Sequence, residues 1–174
     1  MQSEPKYSLT MRSLHWLVVL AVLIAVVAIE IMDFFPKGSA ERAALFIVHQ
    51  TAGLSVFALM VLRLLARVGT QAPPPVPGTP LVQLVARLTH GALYVLMVGM
   101  PVLGLLALAL AGKPIQPFGL DLTLALAQDK SLAHLAKEIH ESGATVVYIV
   151  VGLHAAAALW HEFILKDRLL RRMI

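Results

Sequence analysis

Seven histidines and no cysteine make histidine the residue type in this sequence that is best suited to bind a metal-containing cofactor. Imidazole binds iron, copper, zinc and nickel, whereas the lack of cysteine excludes thiolate sites, iron–sulfur clusters and covalent haem attachment. His140 and His154 are the most informative, because they lie fourteen residues apart in one apolar segment. That spacing is close to four helical turns, so both side chains project from nearly the same helix face, about 21 Å apart along the axis.

The histidines lie in a sequence that is too apolar for a soluble protein of this size. Of its 174 residues, 59% are hydrophobic and 14% charged, and the mean hydropathy is +0.81. We therefore predict an all-α membrane protein, a bundle of four transmembrane helices in one integral membrane domain over residues 1–174. The predicted spans are about 14–32, 45–65, 84–110 and 139–165. We expect the first span to be retained rather than cleaved, and the proline-rich segment Ala72–Pro80 to be a stiff linker.

The distribution of basic residues predicts how the bundle is oriented. Nine lysines and arginines fall on the side of the N-terminus, the second loop and the C-terminus, and five fall on the opposite side. The positive-inside rule therefore places both termini in the cytoplasm. Because membrane topology explains the basic residues, the high isoelectric point does not indicate nucleic acid as a partner.

With this orientation, four histidines fall at two matching depths on different helices. His49 and His140 lie near the outer end of their spans, and His15 and His154 lie near the cytoplasmic end. A bare metal site usually gathers three or four ligands, whereas two imidazoles complete the coordination of a b-type haem. The sequence thus predicts two non-covalent haems, one at each depth, suited to electron transfer.

Small residues beside these histidines favour a flat ligand. Gly53 follows His49 by four residues and Gly143 follows His140 by three, so each shares a helix face with its histidine. A porphyrin that lies along a helix needs short side chains there. Small residues also let membrane helices approach closely, and a histidine can simply tie two helices together. A metal-binding or transport protein that uses the same histidines therefore stays open as another class of function.

Three further residues are candidates, each with two interpretations. His161, seven residues after His154, can donate to a quinone carbonyl, deliver a proton or contact a haem propionate, or it can be an interfacial residue without a task. Lys137 can steer a small anion or pair with Glu141. Arg63 can pair with haem propionates or lipid phosphates, or serve only as a positive-inside charge. His90, which begins the third span at the depth of His161, can take part in the inner site or be an interfacial residue, and His134 is expected to be a solvated surface residue.

Five segments of the sequence resemble the bacterial di-haem cytochrome b561 family: Ser13-Leu-His-Trp-Leu-Val18, Val48-His-Gln-Thr-Ala-Gly53, Leu59-Met-Val-Leu-Arg63, His140-Glu-Ser-Gly143 and Val151-Gly-Leu-His-Ala-Ala-Ala-Ala158. The similarity extends over nearly the whole chain. It implies a four-helix protein of the bacterial inner membrane with two non-covalent b haems. The family's ligand positions fall on the same four histidines that were paired by depth.

Within that family, the sequence is most similar to the superoxide oxidase type. This resemblance implies that superoxide gives electrons on the periplasmic side, near Lys137, and that ubiquinone accepts them near His161. Membrane lipids surround such a protein, and no protein partner is required. The runner-up is a haem b subunit that links a dehydrogenase or hydrogenase to the quinone pool.

Overall fold

The computed structural model describes residues 6–74 and 78–174 of the chain. Its four long helices are α1 (Leu9–Met32), α2 (Ala40–Val68), α3 (Pro80–Leu110) and α4 (Lys130–Trp160). All four are long and apolar enough to cross a membrane. Even α1, with 24 residues, is about 36 Å long and exceeds a hydrocarbon core of about 30 Å. The prediction of an all-α protein with four membrane-crossing helices is confirmed.

Each helix begins where the sequence supplies a capping side chain for the first-turn N–H groups. The four capping residues are Ser8, Ser39, Thr79 and Asp129. Because these caps lie before the apolar segments, the helices start earlier than the predicted spans. Pro80 is the first residue of α3, a position where the helix needs no N–H donor. The last residue of the segment predicted as a linker therefore belongs to the helix. Residues 75–77 of that linker lie outside the described residues.

The helices form two hairpins that approach each other unevenly. Helix α1 packs along α2 and α3 packs along α4, while α2 also contacts α3. Among the described residues, no Cα atom of α1 lies within 8 Å of a Cα atom of α4. The backbones of α1 and α4 therefore leave a gap between them.

An apolar layer at mid-height joins the two hairpins. Its buried side chains come from all four helices: Val18 and Ala21 from α1, Val56 and Met60 from α2, Met97 from α3 and Val147 from α4. Val147 lies seven residues from both His140 and His154, so this layer separates the two depths at which histidines occur. Many other large apolar side chains face outward; Leu20 is 55% exposed and Val95 72%, as on a surface that contacts lipid.

The end of the bundle where α1 ends and α2 begins is called the loop end here. It also carries the connection between α3 and α4, which is fastened to α2 by two hydrogen bonds. The backbone N–H of Gln116 donates to the side chain of Gln50 over 2.7 Å, and that of Phe118 donates to Thr51 over 2.8 Å. Gln50 and Thr51 directly follow His49, so this connection braces α2 beside that histidine.

The opposite end, where α1 begins and α4 ends, is the terminal end. There α4 continues into a π-helical turn, His161–Leu165, after which the chain turns back. The indole N–H of Trp16 donates to the backbone carbonyl of Met173 over 2.7 Å, and the N–H of Tyr7 donates to that of Arg172. The last residues are thereby held against the start of α1.

Candidate cofactor-binding sites

The structure brings the four candidate ligand histidines together as two pairs. At the loop end, the ring centres of His49 and His140 lie 6.1 Å apart, and these two residues form the loop-end pair. At the terminal end, those of His15 and His154 lie 6.5 Å apart and form the terminal-end pair. Each pair joins one helix of the first hairpin to α4, across the interior of the bundle.

Both separations leave room for one metal ion between the rings. A metal–imidazole bond is about 2.0–2.1 Å long and the nitrogen lies roughly 1.1 Å from its ring centre, so two rings on opposite sides of an ion have centres roughly 6.3 Å apart. The observed separations of 6.1 and 6.5 Å bracket that value. The ring planes cross at 85° in the loop-end pair and at 73° in the terminal-end pair.

Hydrogen bonds prepare the loop-end pair for binding a metal through Nε2. The Nδ1 atom of His49 lies 2.9 Å from the carbonyl oxygen of Ala25, and that of His140 lies 2.9 Å from the carbonyl oxygen of Met100. A carbonyl only accepts, so each Nδ1 carries the ring proton and each Nε2 is free to coordinate. Donation of the second ring N–H to a carbonyl is also the usual arrangement of histidines that bind metals.

The terminal-end pair is arranged differently. The Nδ1 atom of His15 lies 2.8 Å from a guanidinium nitrogen of Arg63, which only donates hydrogen bonds. Nδ1 therefore accepts, and the ring proton lies on Nε2. For Nε2 to bind a metal, the proton has to leave that atom and Arg63 has to release the ring. An anionic group such as a carboxylate would attract the released guanidinium.

A third imidazole approaches the terminal-end pair; from the sequence it was a candidate for a role at the inner site or an interfacial residue. The ring centre of His90, on α3, lies 5.4 Å from that of His154. This separation is too short for an ion between the two rings, whereas the 6.5 Å between His15 and His154 is sufficient. Among the described residues, no group of three or more His, Asp or Glu side chains is arranged to hold a bare metal ion.

The two candidate catalytic residues lie at opposite ends of the bundle. Lys137 forms an ion pair of 2.7 Å with Glu141, the second of the two interpretations given above. Such an exposed pair on one helix contributes only about 0.3–0.5 kcal/mol, so an incoming anion can compete for the ammonium group. At the terminal end, the Nδ1 atom of His161 lies 2.5 Å from the carboxylate of Asp167. The side chain of His134 is 71% exposed.

The sequence matches one family over almost its whole length. Residues 6–174 fit the family described as prokaryotic cytochrome b561. The chain belongs to the prokaryotic cytochrome b561 family. The resemblance seen in the sequence is thereby confirmed. Members of this family are bacterial membrane proteins that bind haem b and transfer electrons, so the protein is a multi-pass membrane cytochrome with an oxidoreductase or electron-transfer role.

Three relatives show how far this similarity extends. Cytochrome b561 homolog 1 of Escherichia coli (strain K12) is 35% identical over 170 residues, which cover 97% of each chain. A probable superoxide oxidase, CybB, of Yersinia pestis is also 35% identical over 170 residues, covering 97% of this chain and 96% of its own. Cytochrome b562 of Cereibacter sphaeroides is 29% identical and covers 100% of this chain and 98% of its own.

The two glycines expected to make room for a porphyrin have different surroundings in this cytochrome. A Cβ atom at Gly53 would meet nothing within 4 Å, so this face of α2 is open for a flat ligand. A Cβ atom at Gly143 would lie 2.6 Å from the sulfur of Met100. The missing side chain of Gly143 therefore leaves space for Met100 of α3. The spacing of residues along α4 could not predict this contact.

A third glycine, Gly104 on α3, was missed by the sequence analysis. A Cβ atom at this position would lie 3.0 Å from Cε1 and 3.3 Å from Nδ1 of His140. Gly104 follows Met100, whose carbonyl accepts from His140, by one helical turn. One turn of α3 thus holds the ring by both a hydrogen bond and close packing.

We expect Gly104→Val to weaken haem binding at the loop-end pair by about 10- to 100-fold, because the added side chain displaces the His140 ring. The measurement is the rate at which haem transfers from the purified protein to excess apomyoglobin. Gly99→Val is the matched control, since a Cβ atom at that position of the same helix meets nothing within 4 Å. Equal haem loss from both variants would mean that Gly104 does not position the ring.

Proposed function

We propose that the protein oxidises superoxide on the periplasmic side of the bacterial inner membrane and passes the electrons through two b haems to ubiquinone. The observation that carries this proposal is the presence of two imidazole pairs, with ring centres 6.1 and 6.5 Å apart, at opposite ends of one bundle. Two axial imidazoles fill the coordination of a haem iron, which suits electron transfer rather than oxygen binding. The probable superoxide oxidase among the relatives supports the choice of electron donor.

Haem supplies reversible one-electron chemistry when it is bound, and the residues of the chain hold and orient it. In our proposal, His49 and His140 hold one haem and His15 and His154 hold the other. Gly53 would leave space beside the first haem, and Arg63, which contacts His15, would hold a propionate of the second. With both termini in the cytoplasm, the loop-end pair is the periplasmic one.

The donor side needs little protein chemistry. Two superoxide ions lose one electron each and leave as two molecules of dioxygen, so no proton or general base is required. A positive entrance is enough to raise the local concentration of the anion. Lys137 lies one turn before His140 on α4 and supplies such a charge. Its partner Glu141 is exposed and holds it weakly.

The acceptor side needs protons. One ubiquinone takes up the two electrons together with two protons and becomes ubiquinol. A histidine at the membrane edge is suited to proton delivery, because its charge changes near neutral pH. His161 lies seven residues beyond His154, close to two helical turns toward the terminal end. We assign it to the ubiquinone site.

The runner-up is a haem subunit that passes electrons from a dehydrogenase or hydrogenase to quinone. One observation favours it: the connection at the loop end exposes Phe118 by 65% and Leu120 by 66%. Such exposed apolar side chains can contact a partner protein.

The test separates the two half-reactions. Oxidised protein in detergent is mixed with a superoxide source, and the reduced b-type band is followed with and without superoxide dismutase. We expect haem reduction at least about tenfold above the uncatalysed rate, and reoxidation on adding ubiquinone-1, with one quinol formed per two dioxygen. If dithionite reduces the haems but superoxide does not, superoxide is not the donor, and the role as a subunit of a dehydrogenase or hydrogenase is favoured.

A further inference from the structure

We propose that Asp167 is a positioning residue that fixes His161 as the proton donor to ubiquinone. This inference rests on the proposed function, because it concerns the acceptor side of that reaction. It starts from a contact that the haem ligands do not explain: the Asp167 carboxylate oxygen Oδ2 lies 2.5 Å from Nδ1 of His161.

The backbone after α4 is shaped to make this contact. The π-helical turn His161–Leu165 ends at Lys166, where the chain reverses, and the N–H of Asp167 donates to the carbonyl of His161 over 3.2 Å. Lys166 and Arg168 have φ of +57° and +59°, in the left-handed region that residues with a side chain seldom occupy. Unfavourable conformations on both sides of one carboxylate indicate that its position is functionally constrained.

Both oxygens of the Asp167 carboxylate are engaged. While Oδ2 contacts His161, Oδ1 accepts the N–H of Leu169 over 3.2 Å. The side chains of His161 and Asp167 are only 21% and 25% exposed, whereas Lys137 and Glu141 are 57% and 59% exposed. A charge-assisted hydrogen bond that is partly shielded from water is stronger and better defined than an exposed one. The carboxylate therefore holds the ring in one orientation.

The segment that carries Asp167 is itself held in place. The backbone carbonyl of Met173 accepts the indole N–H of Trp16, the neighbour of His15 on α1. Arg171 pairs over 3.2 Å with Glu162 of the π-helical turn. A donor group supported by fixed neighbours keeps the geometry that a proton transfer needs.

The hydrogen bond decides which ring nitrogen gives up a proton. A carboxylate accepts from Nδ1–H, so Nδ1 keeps its proton, and when the ring carries a proton on both nitrogens, Nε2 is the atom that gives one to a quinone oxygen. His161 is then neutral, with Nδ1–H still held by Asp167, and Nε2 regains a proton from water. The second proton of ubiquinol comes from water as well, which balances two electrons and two protons.

The experiment isolates the acceptor half-reaction. Dithionite-reduced protein is mixed anaerobically with ubiquinone-1 in a stopped-flow instrument, and haem reoxidation is followed in H2O and in D2O. For Asp167→Asn we expect the limiting rate to fall by about 100-fold and the solvent isotope effect to rise, because proton delivery becomes rate-limiting. The quinone concentration that gives half the limiting rate stays unchanged, and so does the reduced-minus-oxidised spectrum.

Two companion variants control for damage to the tail. Asp167→Glu keeps a carboxylate and is expected to recover part of the rate. Arg171→Gln removes the ion pair that Arg171, 60% exposed, makes with Glu162 in the same segment, and is expected to lower the rate by less than about threefold, which measures the effect of loosening the tail alone.

A double variant tests whether Asp167 acts through His161. His161→Gln and His161→Gln/Asp167→Asn are expected to reoxidise at the same rate, because residues that act as a unit are not additive. If the Asp167→Asn haems are reoxidised at the wild-type rate, or if the double variant is slower than His161→Gln, the positioning role is overturned while the proposed function stands. Wild-type haems that ubiquinone does not reoxidise overturn the proposed function, and this inference with it.

Discussion

Replacing His49 or His140 by alanine is expected to remove one of two haems and leave the other. Either change leaves one imidazole of a pair whose ring centres lie 6.1 Å apart, while the terminal-end pair, about 21 Å away along α4, is untouched. We expect about half the wild-type haem per protein in the pyridine haemochrome assay. Superoxide-driven ubiquinone reduction should fall by more than about 100-fold, because the first electron acceptor is missing.

The matched control for these variants is His134→Ala. His134 lies six residues before His140 on the same helix, but its side chain is 71% exposed and pairs with Glu138 over 3.5 Å. It is expected to retain both haems and full activity. A redox titration of each variant identifies which haem remains. If His49→Ala and His140→Ala emptied different sites, these two residues would not share a haem.

The heights of the candidate ligands could be predicted from the sequence because an α-helix converts sequence spacing into axial distance. Four apolar segments fixed the number of helices, and their alternating directions placed His49 beside His140 and His15 beside His154. The structure brings these residues within 6.1 and 6.5 Å of each other, ring centre to ring centre. Sequence spacing therefore contained the information needed for pairing.

The rotation of each helix about its axis could not be predicted in the same way. Met100 and Gly104 of α3 hold the His140 ring, yet neither lies near it in sequence. The approach of His90 to His154 likewise depends on how α3 is rotated against α4. Gly143 meets Met100 of α3 instead of open space. Such contacts depend on how four helices pack together, and a single sequence carries no periodic signal for them. The contact of Asp167 with His161 was missed because it depends on left-handed residues at Lys166 and Arg168.

Removing His154 is expected to empty the terminal-end site and to divide the reaction into two halves. Without His154 the site loses the imidazole that lies beside both His15 and His90, and with it the pair of rings whose centres lie 6.5 Å apart. The loop-end haem should still be reduced by superoxide in His154→Ala. Its reoxidation by ubiquinone-1 should slow by more than about 100-fold, because the remaining haem lies on the far side of the apolar layer.

The partner of His154 is decided by comparing His15→Ala with His90→Ala. We expect His15→Ala to lose the same haem as His154→Ala, and His90→Ala to keep it, because only the 6.5 Å separation admits an iron between two rings. The haem content and a redox titration of each variant show which haem is lost. The reverse result would make His90 the ligand and leave His15 to its hydrogen bond with Arg63. In that case the terminal-end haem would join α3 to α4 within one hairpin, and it would no longer bridge the gap between the backbones of α1 and α4.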